Sequence, residues 1–294
     1  MIIYKFASKT NVNLKVRVMQ ERHTDYGQYF RESEESCKKY YLPYWREHTS
    51  LTLGNDTRVL EVGCGLGGNL APFARMGCNV SGVDIDVNSI ERGTTQFREF
   101  GLNGILSWCD IHDYEDSGSY QLIMLHDAIE HIYEKELLML RLRELLSEDG
   151  VLYIAFPAWR MPFGGHQQVA RTKFVSHCPF IHLLPQSLFV WLLRQLGESE
   201  TVIRDFLSIK HTRMNIQAFQ RLCAVANLEI IHRRLYLINP HYEMKFGLKP
   251  RILWRAIASI PYIRDFFSTS CHYLIRRKGA VKANEKARKR QVLS

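Results

Sequence analysis

Apolar runs and amphipathic stretches alternate from Arg58 to Pro157. RVLEVG is an apolar run that ends in glycine. LAPFARMG follows at helical spacing and is closed by Gly77. NVSGVDI reads as a second strand, and NSIERGTTQFREFG as a second helix. ILSWCD is a third strand. YQLIMLHD is a fourth, apolar throughout and therefore central to a sheet covered on both faces. YEKELLMLRLRELL is a leucine-rich helix stopped at Ser-Glu-Asp-Gly150, and VLYIAF is a fifth strand ended by Pro157. Strands separated by single helices predict right-handed βαβ crossovers and a parallel sheet.

Upstream, Ser33 to His48 carries Tyr40, Tyr41, Leu42, Tyr44 and Trp45 among charges and predicts an amphipathic helix despite Pro43. Residues 158–213 break the rhythm with three prolines, the Gly164-Gly165 pair and one apolar helix, QSLFVWLLRQLG. MNIQAFQRLCAVANL resumes a helix, LEIIHRRLYLI a strand, and CHYLIRRK a short last strand after an irregular piece at 239–270. The expected organisation is an N-terminal helical cap (1–50), an α/β domain (51–277) with substrate-lid insertions at 158–213 and 239–270, and a tail (278–294). In open α/β sheets ligands bind beyond the strand C-termini. That edge receives Glu61, Asp84, Asp110, His126 and Pro157.

A chain of 294 residues with 46% hydrophobic and 23% charged residues is expected to pack a core. The formal net charge is +9, but Arg276–Ser294 holds eight Lys/Arg against one Glu, leaving +2 for the rest. Such a tail is either a solvated terminus or a segment drawn to anionic lipid or a polyanionic substrate. No nucleic-acid reading module is recognisable, so no nucleic-acid partner is expected. Seven scattered cysteines form no C-x-x-C pair, which points to a reducing compartment and away from a zinc knuckle. No stretch of signal-peptide or membrane-spanning length is present, and a cytoplasmic protein is expected.

The stretch VLEVGCGLGGN holds Gly63, Gly65 and Gly68 at G-x-G-x-x-G spacing. Glycines there let the backbone turn sharply and approach a ligand closely. The spacing alone does not choose between a dinucleotide and another nucleoside. Glu61 does: a pyrophosphate on the following helix would meet a carboxylate, whereas an ammonium group would be attracted. S-adenosylmethionine has an ammonium, a sulfonium and a ribose but no phosphate. Asp84, 21 residues after Gly63, can take ribose hydroxyls, as acids also do in dinucleotide sites. Asp110 can accept an adenine amino group.

E-V-G-C-G-L-G, G-V-D-I-D, C-D-I and R-E-L-L-S-E-D-G-V-L-Y-I together resemble the successive motifs of class I S-adenosylmethionine-dependent methyltransferases. The resemblance covers roughly 35–157 and the sheet ending near 228–277. It implies a Rossmann-like, doubly wound, seven-stranded sheet, mostly parallel with an antiparallel last strand. It further implies that Gly63, Gly65 and Gly67 line the methionine portion and that Asp84 binds ribose. Ile85 would pack on adenine, Asp110 and Ile111 would bracket its amino edge, and His126 would approach the methionine portion. Tyr29-Phe30-Arg31 stands where relatives close an aromatic or arginine over the donor, so Arg31 could grip its carboxylate.

An alcohol acceptor must lose its proton during attack, and a neutral histidine is the natural base. His166, in P-F-G-G-H-Q, is the first candidate, and that segment resembles one in bacterial methyltransferases of surface-polysaccharide pathways. His131 is the second. It closes Asp127-Ala128-Ile129-Glu130-His131, which resembles the E-x-x-E-H of ubiquinone-pathway O-methyltransferases, where acids and histidine are associated with a divalent cation. With Asp127 in place of the first Glu, structural, catalytic and metal roles all stay open, and no metal is assigned. The insertions are rich in Phe, Trp, Leu and His, which suits a sugar or glycan hydroxyl as acceptor. A quinone, a lipid or another apolar small molecule is the alternative, and an inactive binding or scaffold protein a third. IHLLPQSLFVWLLRQLG could be a lid helix or skim a membrane together with FGLKPRILWRAIASIPYIRDFF and the tail, giving a peripheral position at the inner membrane face.

Overall fold

The computed structural model describes residues 25–279. Residues 1–24 and most of the basic tail lie outside the described residues. The chain opens with α1 (Tyr26–Ser36), a π-helical turn over Cys37–Tyr41, and α2 (Leu42–His48). The single helix expected over 33–48 is therefore interrupted. Pro43 sits in the first turn of α2; it has no N–H to donate and its ring crowds the preceding turn, so the helix widens before it.

Next come β1 (Arg58–Val62), α3 (Ala71–Arg75), β2 (Asn79–Asp84), α4 (Val87–Glu99), β3 (Ile105–Trp108) and β4 (Tyr120–His126). They are followed by α5 (Lys135–Leu145) and β5 (Leu146–Phe156). β5 begins earlier than Val151, because Tyr120 pairs with Leu146 and Leu122 with Val151, leaving an irregularity across Ser147–Gly150. The first insertion contains α6 (Lys173–His177), α7 (Gln186–Gln195) and α8 (Glu200–Thr212). After α9 (Ile216–Val225) and β6 (Leu228–Ile238), the second insertion contains α10 (His241–Phe246), β7 (Arg251–Ile252), α11 (Arg255–Ser259) and α12 (Ile263–Phe267). β8 (Ser270–Arg277) ends the sheet.

The strand order is β3-β2-β1-β4-β5-β8-β6-β7. β1 to β5 pair in parallel, and β8 runs antiparallel between β5 and β6. The sheet thus has eight strands rather than seven. The extra one is the two-residue edge piece β7, which pairs with β6 inside the second insertion.

Alternation along the strands sends side chains to opposite faces. Leu60, Val62, Ile123, Leu125, Ile154 and Tyr273 pack under α5 and α9 with Leu138, Leu142 and Phe219. Val59, Leu122, Met124, Tyr153 and Leu274 pack on the other face with Phe30, Tyr41, Trp45, Phe73 and Phe97 from α1–α4 and the π-turn. Glu61 shares the parity of Val59 and so faces the helices of the chain's N-terminal part. The first insertion has its own small core of Val175, Ile181, Phe189, Leu193, Ile203 and Phe206. α8 was not anticipated, although Ser199 caps it and Ile203, Phe206 and Ile209 recur every three residues along a buried face.

α4 lies close against the turn after β1. A Cβ on Gly93 would fall 2.7 Å from the Leu66 carbonyl oxygen and 2.8 Å from Leu106 Cδ1. Gly93→Ala is therefore expected to destabilise the fold by about 1–3 kcal/mol through overpacking. Urea denaturation checks this, and an unchanged midpoint would contradict the close approach.

Candidate functional site

The C-terminal edge of β1, β2 and β3 meets the turn Gly63–Asn69. Gly63, Gly65 and Gly67 all have positive φ, at 72°, 54° and 78°. A side chain at Gly67 would also run into Phe97, 2.8 Å from the added Cβ. Glycine is required there both by conformation and by space. The Asp84 carboxylate fixes the turn: Gly65 N–H donates to one oxygen at 2.8 Å and Asp86 N–H to the other at 2.9 Å. A carboxylate can accept several hydrogen bonds at once, so this acid can serve both the turn and a ligand hydroxyl.

Below this turn a crevice is lined by Val62, Gly63, Val83, Asp84, Ile85, Cys109, Asp110, Ile111, Ala128 and Ile132. It encloses about 410 Å³, its open mouth included. The walls are mostly apolar, with carboxylates at two points, which suits a flat aromatic base next to hydroxyl-bearing groups. Ile85 and Asp110 are half-buried and Ile111 is buried. Asp110 Oδ1 accepts from His112 N–H at 2.9 Å, which holds the loop after β3 in place.

Glu61 is 1% exposed. Its Oε1 accepts from Asn69 Nδ2 at 2.8 Å, and its Oε2 is buried without a hydrogen bond among the described residues. Burial raises the carboxyl to about 8, with a smaller push from Asp84, while the Asn69 bond opposes them. Tyr29 from α1 lies near the same acids. Burial, then Asp127, Glu61 and Asp84, raise its hydroxyl to about 12. The buried Glu61 oxygen offers a charge site for a cation, and Asp84, Ile85, Asp110 and Ile111 offer acceptors and apolar wall to an adenosyl group. The donor set therefore fits S-adenosylmethionine. Arg31 does not join them: it is exposed on α1, and its Nη1 lies 3.4 Å from where a Cβ on Gly27 would stand.

Two histidine clusters flank the end of β4. In the first, the His126 ring lies 4.8 Å from Tyr41 and 6.2 Å from His272. Among the described residues, His126 Nε2 and the Tyr41 hydroxyl are both buried without hydrogen bonds. His272, by contrast, is engaged at both nitrogens, by the Tyr153 hydroxyl at 2.8 Å and Ser270 Oγ at 3.0 Å. Burial and then the charge of His126 hold His272 well below its ordinary value, so it stays neutral. α10 folds back over this end. Burial and His126 lower His241 to about 4, and the same helix places Tyr242 where burial and Asp127 raise its hydroxyl. His241 and Tyr242 were missed from sequence because they lie 115 residues or more downstream of His126 in an irregular stretch.

In the second cluster, the His131 and His166 rings stand perpendicular at 5.0 Å. Glu130, His131 and His166 offer ligand atoms all within 4.8 Å of one another, so they could hold a divalent cation. Asp127 is not part of this group; its backbone is left-handed and its carboxylate lies 3.5 Å from His126 Nδ1. Burial and then Asp127 raise Glu130 well above the carboxylate range. His131 is buried, whereas His166 is half-buried and sits at φ 56°. Ala128 and Ile132, which line the crevice, bracket Glu130 and His131 in the chain. The Gly164-Gly165 pair permits close passage: added Cβ atoms would fall 2.2 Å from the Trp159 carbonyl oxygen and 2.3 Å from His182 Cβ. Gln167 is buried and donates to the Pro162 and Cys178 carbonyls, so it ties the loop.

The Glu61 carboxyl has a stability consequence with a definite sign. Its native value, about 8, lies above the ordinary 4.5, so its contribution is full below 4.5 and is lost as pH rises to 8. Glu61→Gln carries no charge and escapes that loss. Its melting temperature minus that of the wild type should therefore grow across this interval and level off above it. A difference independent of pH would show that Glu61 is not held neutral.

The methyltransferase-domain family matches residues 29–232. A ubiquinone biosynthesis O-methyltransferase of Rhizobium etli is 26% identical over 209 residues, covering 68% of this chain and 74% of that protein. An uncharacterized protein of Rickettsia prowazekii is 31% identical over 115 residues, covering 36% of this chain and 21% of its own length. Over several such relatives the chain spans between 21% and 56% of their length. The crystal structure of an S-adenosylmethionine-dependent methyltransferase from Clostridium acetobutylicum superposes with a TM-score of 0.52 at 12% identity, covering 85% of this chain and 92% of that one. That likeness is one of fold. The family match runs over most of the chain and accords with the strand order and glycine turn described above, so the chain belongs to the methyltransferase-domain family.

Proposed function

We propose that this chain methylates a hydroxyl oxygen of a small acceptor, in the first instance a sugar or glycan intermediate, with His166 as general base. The carrying observation is the mostly apolar crevice at the glycine turn, with carboxylates at two points and with His131, the ring partner of His166, between Ala128 and Ile132 of its wall in the chain. Glu61 would face the donor's ammonium group, and Gly63, Gly65 and Gly67 its methionine portion. Asp84 would take the ribose, and Ile85, Asp110 and Ile111 the adenine. Arg31 is given no role. When bound, S-adenosylmethionine supplies an electrophilic methyl on a good leaving group.

The remaining work falls to the chain's own side chains. Acceptor attack needs alignment, exclusion of water and removal of one proton. His166 is the half-buried member of its pair and can be reached by an acceptor; buried His131 orients it. His126 Nε2 and the Tyr41 hydroxyl, both without partners, provide hydrogen bonds for other acceptor hydroxyls. Leaving such groups unpaired is costly, so a polar acceptor that pairs them is favoured. The 158–213 and 239–270 insertions act as lid, the second through His241 and Tyr242. The expected setting is cytoplasmic.

A phenolic or quinone-like ring is the second reading. It is favoured by the ubiquinone biosynthesis relatives and by the aromatic walls around Tyr41. A screen that follows the demethylated donor product over sugar, nucleotide-sugar and phenolic acceptors separates the two.

His166→Ala should keep donor affinity and lower turnover by roughly 10²-fold or more; unchanged turnover would remove His166 from the chemistry. Exhaustive chelation should leave activity intact if the Glu130–His131–His166 group moves protons, and abolish it if the group holds a cation. Tyr41→Phe should raise the acceptor KM about tenfold, the worth of one lost hydrogen bond, and leave donor affinity unchanged.

A further inference from the structure

The second insertion leaves a large apolar surface uncovered. Trp254 is 71% exposed, Tyr262 58%, Ile263 48% and Phe267 42%. The exposed Phe266 ring lies 6.2 Å from that of exposed Phe180, so the patch continues onto the first insertion. α11 and α12 pack together beneath these side chains. Soluble proteins rarely leave so many large apolar side chains of one segment to water without using them.

The charges around the patch say what covers it. From Phe246 to Phe267 the exposed charged side chains are Lys249, Arg251 and Arg255, all cationic. The one acid there, Asp265, is fully buried and bonded to Arg160 at 3.2 Å. Arg264 is buried as well. Glu243, just upstream, feels the charge of Lys249 but is itself paired with Lys39 at 2.8 Å. Aromatic side chains interleaved with exposed cations match the boundary of an anionic bilayer, where rings sit at headgroup depth and cations meet lipid phosphates. Among the described residues no helix is long and apolar enough to cross a membrane. The contact is therefore with the surface only.

We propose that the 246–267 face, with Phe180, docks on an anionic lipid bilayer. The front end of the same insertion, His241 and Tyr242, lies over the end of β4, so docking would bring the site to an acceptor presented at the membrane. The docking itself does not depend on which acceptor is methylated.

The test is co-sedimentation of the full chain with phosphatidylcholine vesicles, with and without about 30% phosphatidylglycerol, at low and high salt. Binding should need the anionic lipid and weaken at high salt. The full-chain variant Trp254→Glu/Phe267→Glu should lose binding by at least about tenfold while keeping its melting temperature. The variant Lys249→Gln/Arg251→Gln/Arg255→Gln should lose it several-fold and flatten the salt dependence. Trp254 fluorescence should be quenched by brominated lipid. Absence of vesicle binding would overturn the proposal. So would wild-type binding by the double glutamate variant, or loss only when Lys282, Lys286, Arg288, Lys289 and Arg290 are changed to Gln, which would assign binding to the tail. A dimer in sedimentation velocity that the glutamate variant splits, with no vesicle binding, would assign the face to a second copy.

Discussion

A carboxyl group almost without solvent access at the end of a central strand must stay neutral or meet a cation. Glu61 is in that position, on the strand that pairs with both β2 and β4. Asn69 satisfies one of its oxygens, and among the described residues nothing satisfies the other. A phosphate brought to the neighbouring glycine turn would face this acid at short range, and a zwitterionic nucleoside would complete it. The surrounding elements serve that arrangement. Asp84 ties the turn through Gly65, α4 leaves room for the turn through Gly93, and α1 closes over it with Tyr29.

Much of the sheet was legible from sequence because its strands are apolar runs bounded by glycines, acids and proline, and amphipathic helices follow most of them. The doubly wound order follows from that rhythm through crossover handedness. What escaped lies where pattern is weak. β7 is two residues long and owes its existence to β6. The π-turn before Pro43 depends on a missing N–H rather than on hydrophobic spacing. α8 had spacing and a cap, but the prolines and glycines that precede it in the insertion mask the signal.

The positions expected to face a donor gather at one sheet edge for a similar reason. They lie at strand ends or in the turn after β1, so sequence position nearly determines spatial position. Arg31 was different: a helix residue one position from buried Phe30 points where helical phase sends it, and that is outward. The acceptor side could not be read. His126 ends β4 and His166 lies on the loop after β5, and they end in separate clusters, one with Tyr41 and one with Glu130 and His131. His241 reaches the first cluster only because α10 folds back.

The account turns on a neutral buried acid that ionises when a cation arrives. Calorimetric titration with S-adenosylhomocysteine, whose ammonium group is the same, in buffers of different ionisation heat near pH 6.5 tests this directly. Release of most of one proton per ligand bound, absent in Glu61→Gln, is the predicted result. Binding of equal strength in both proteins with no proton released would contradict it.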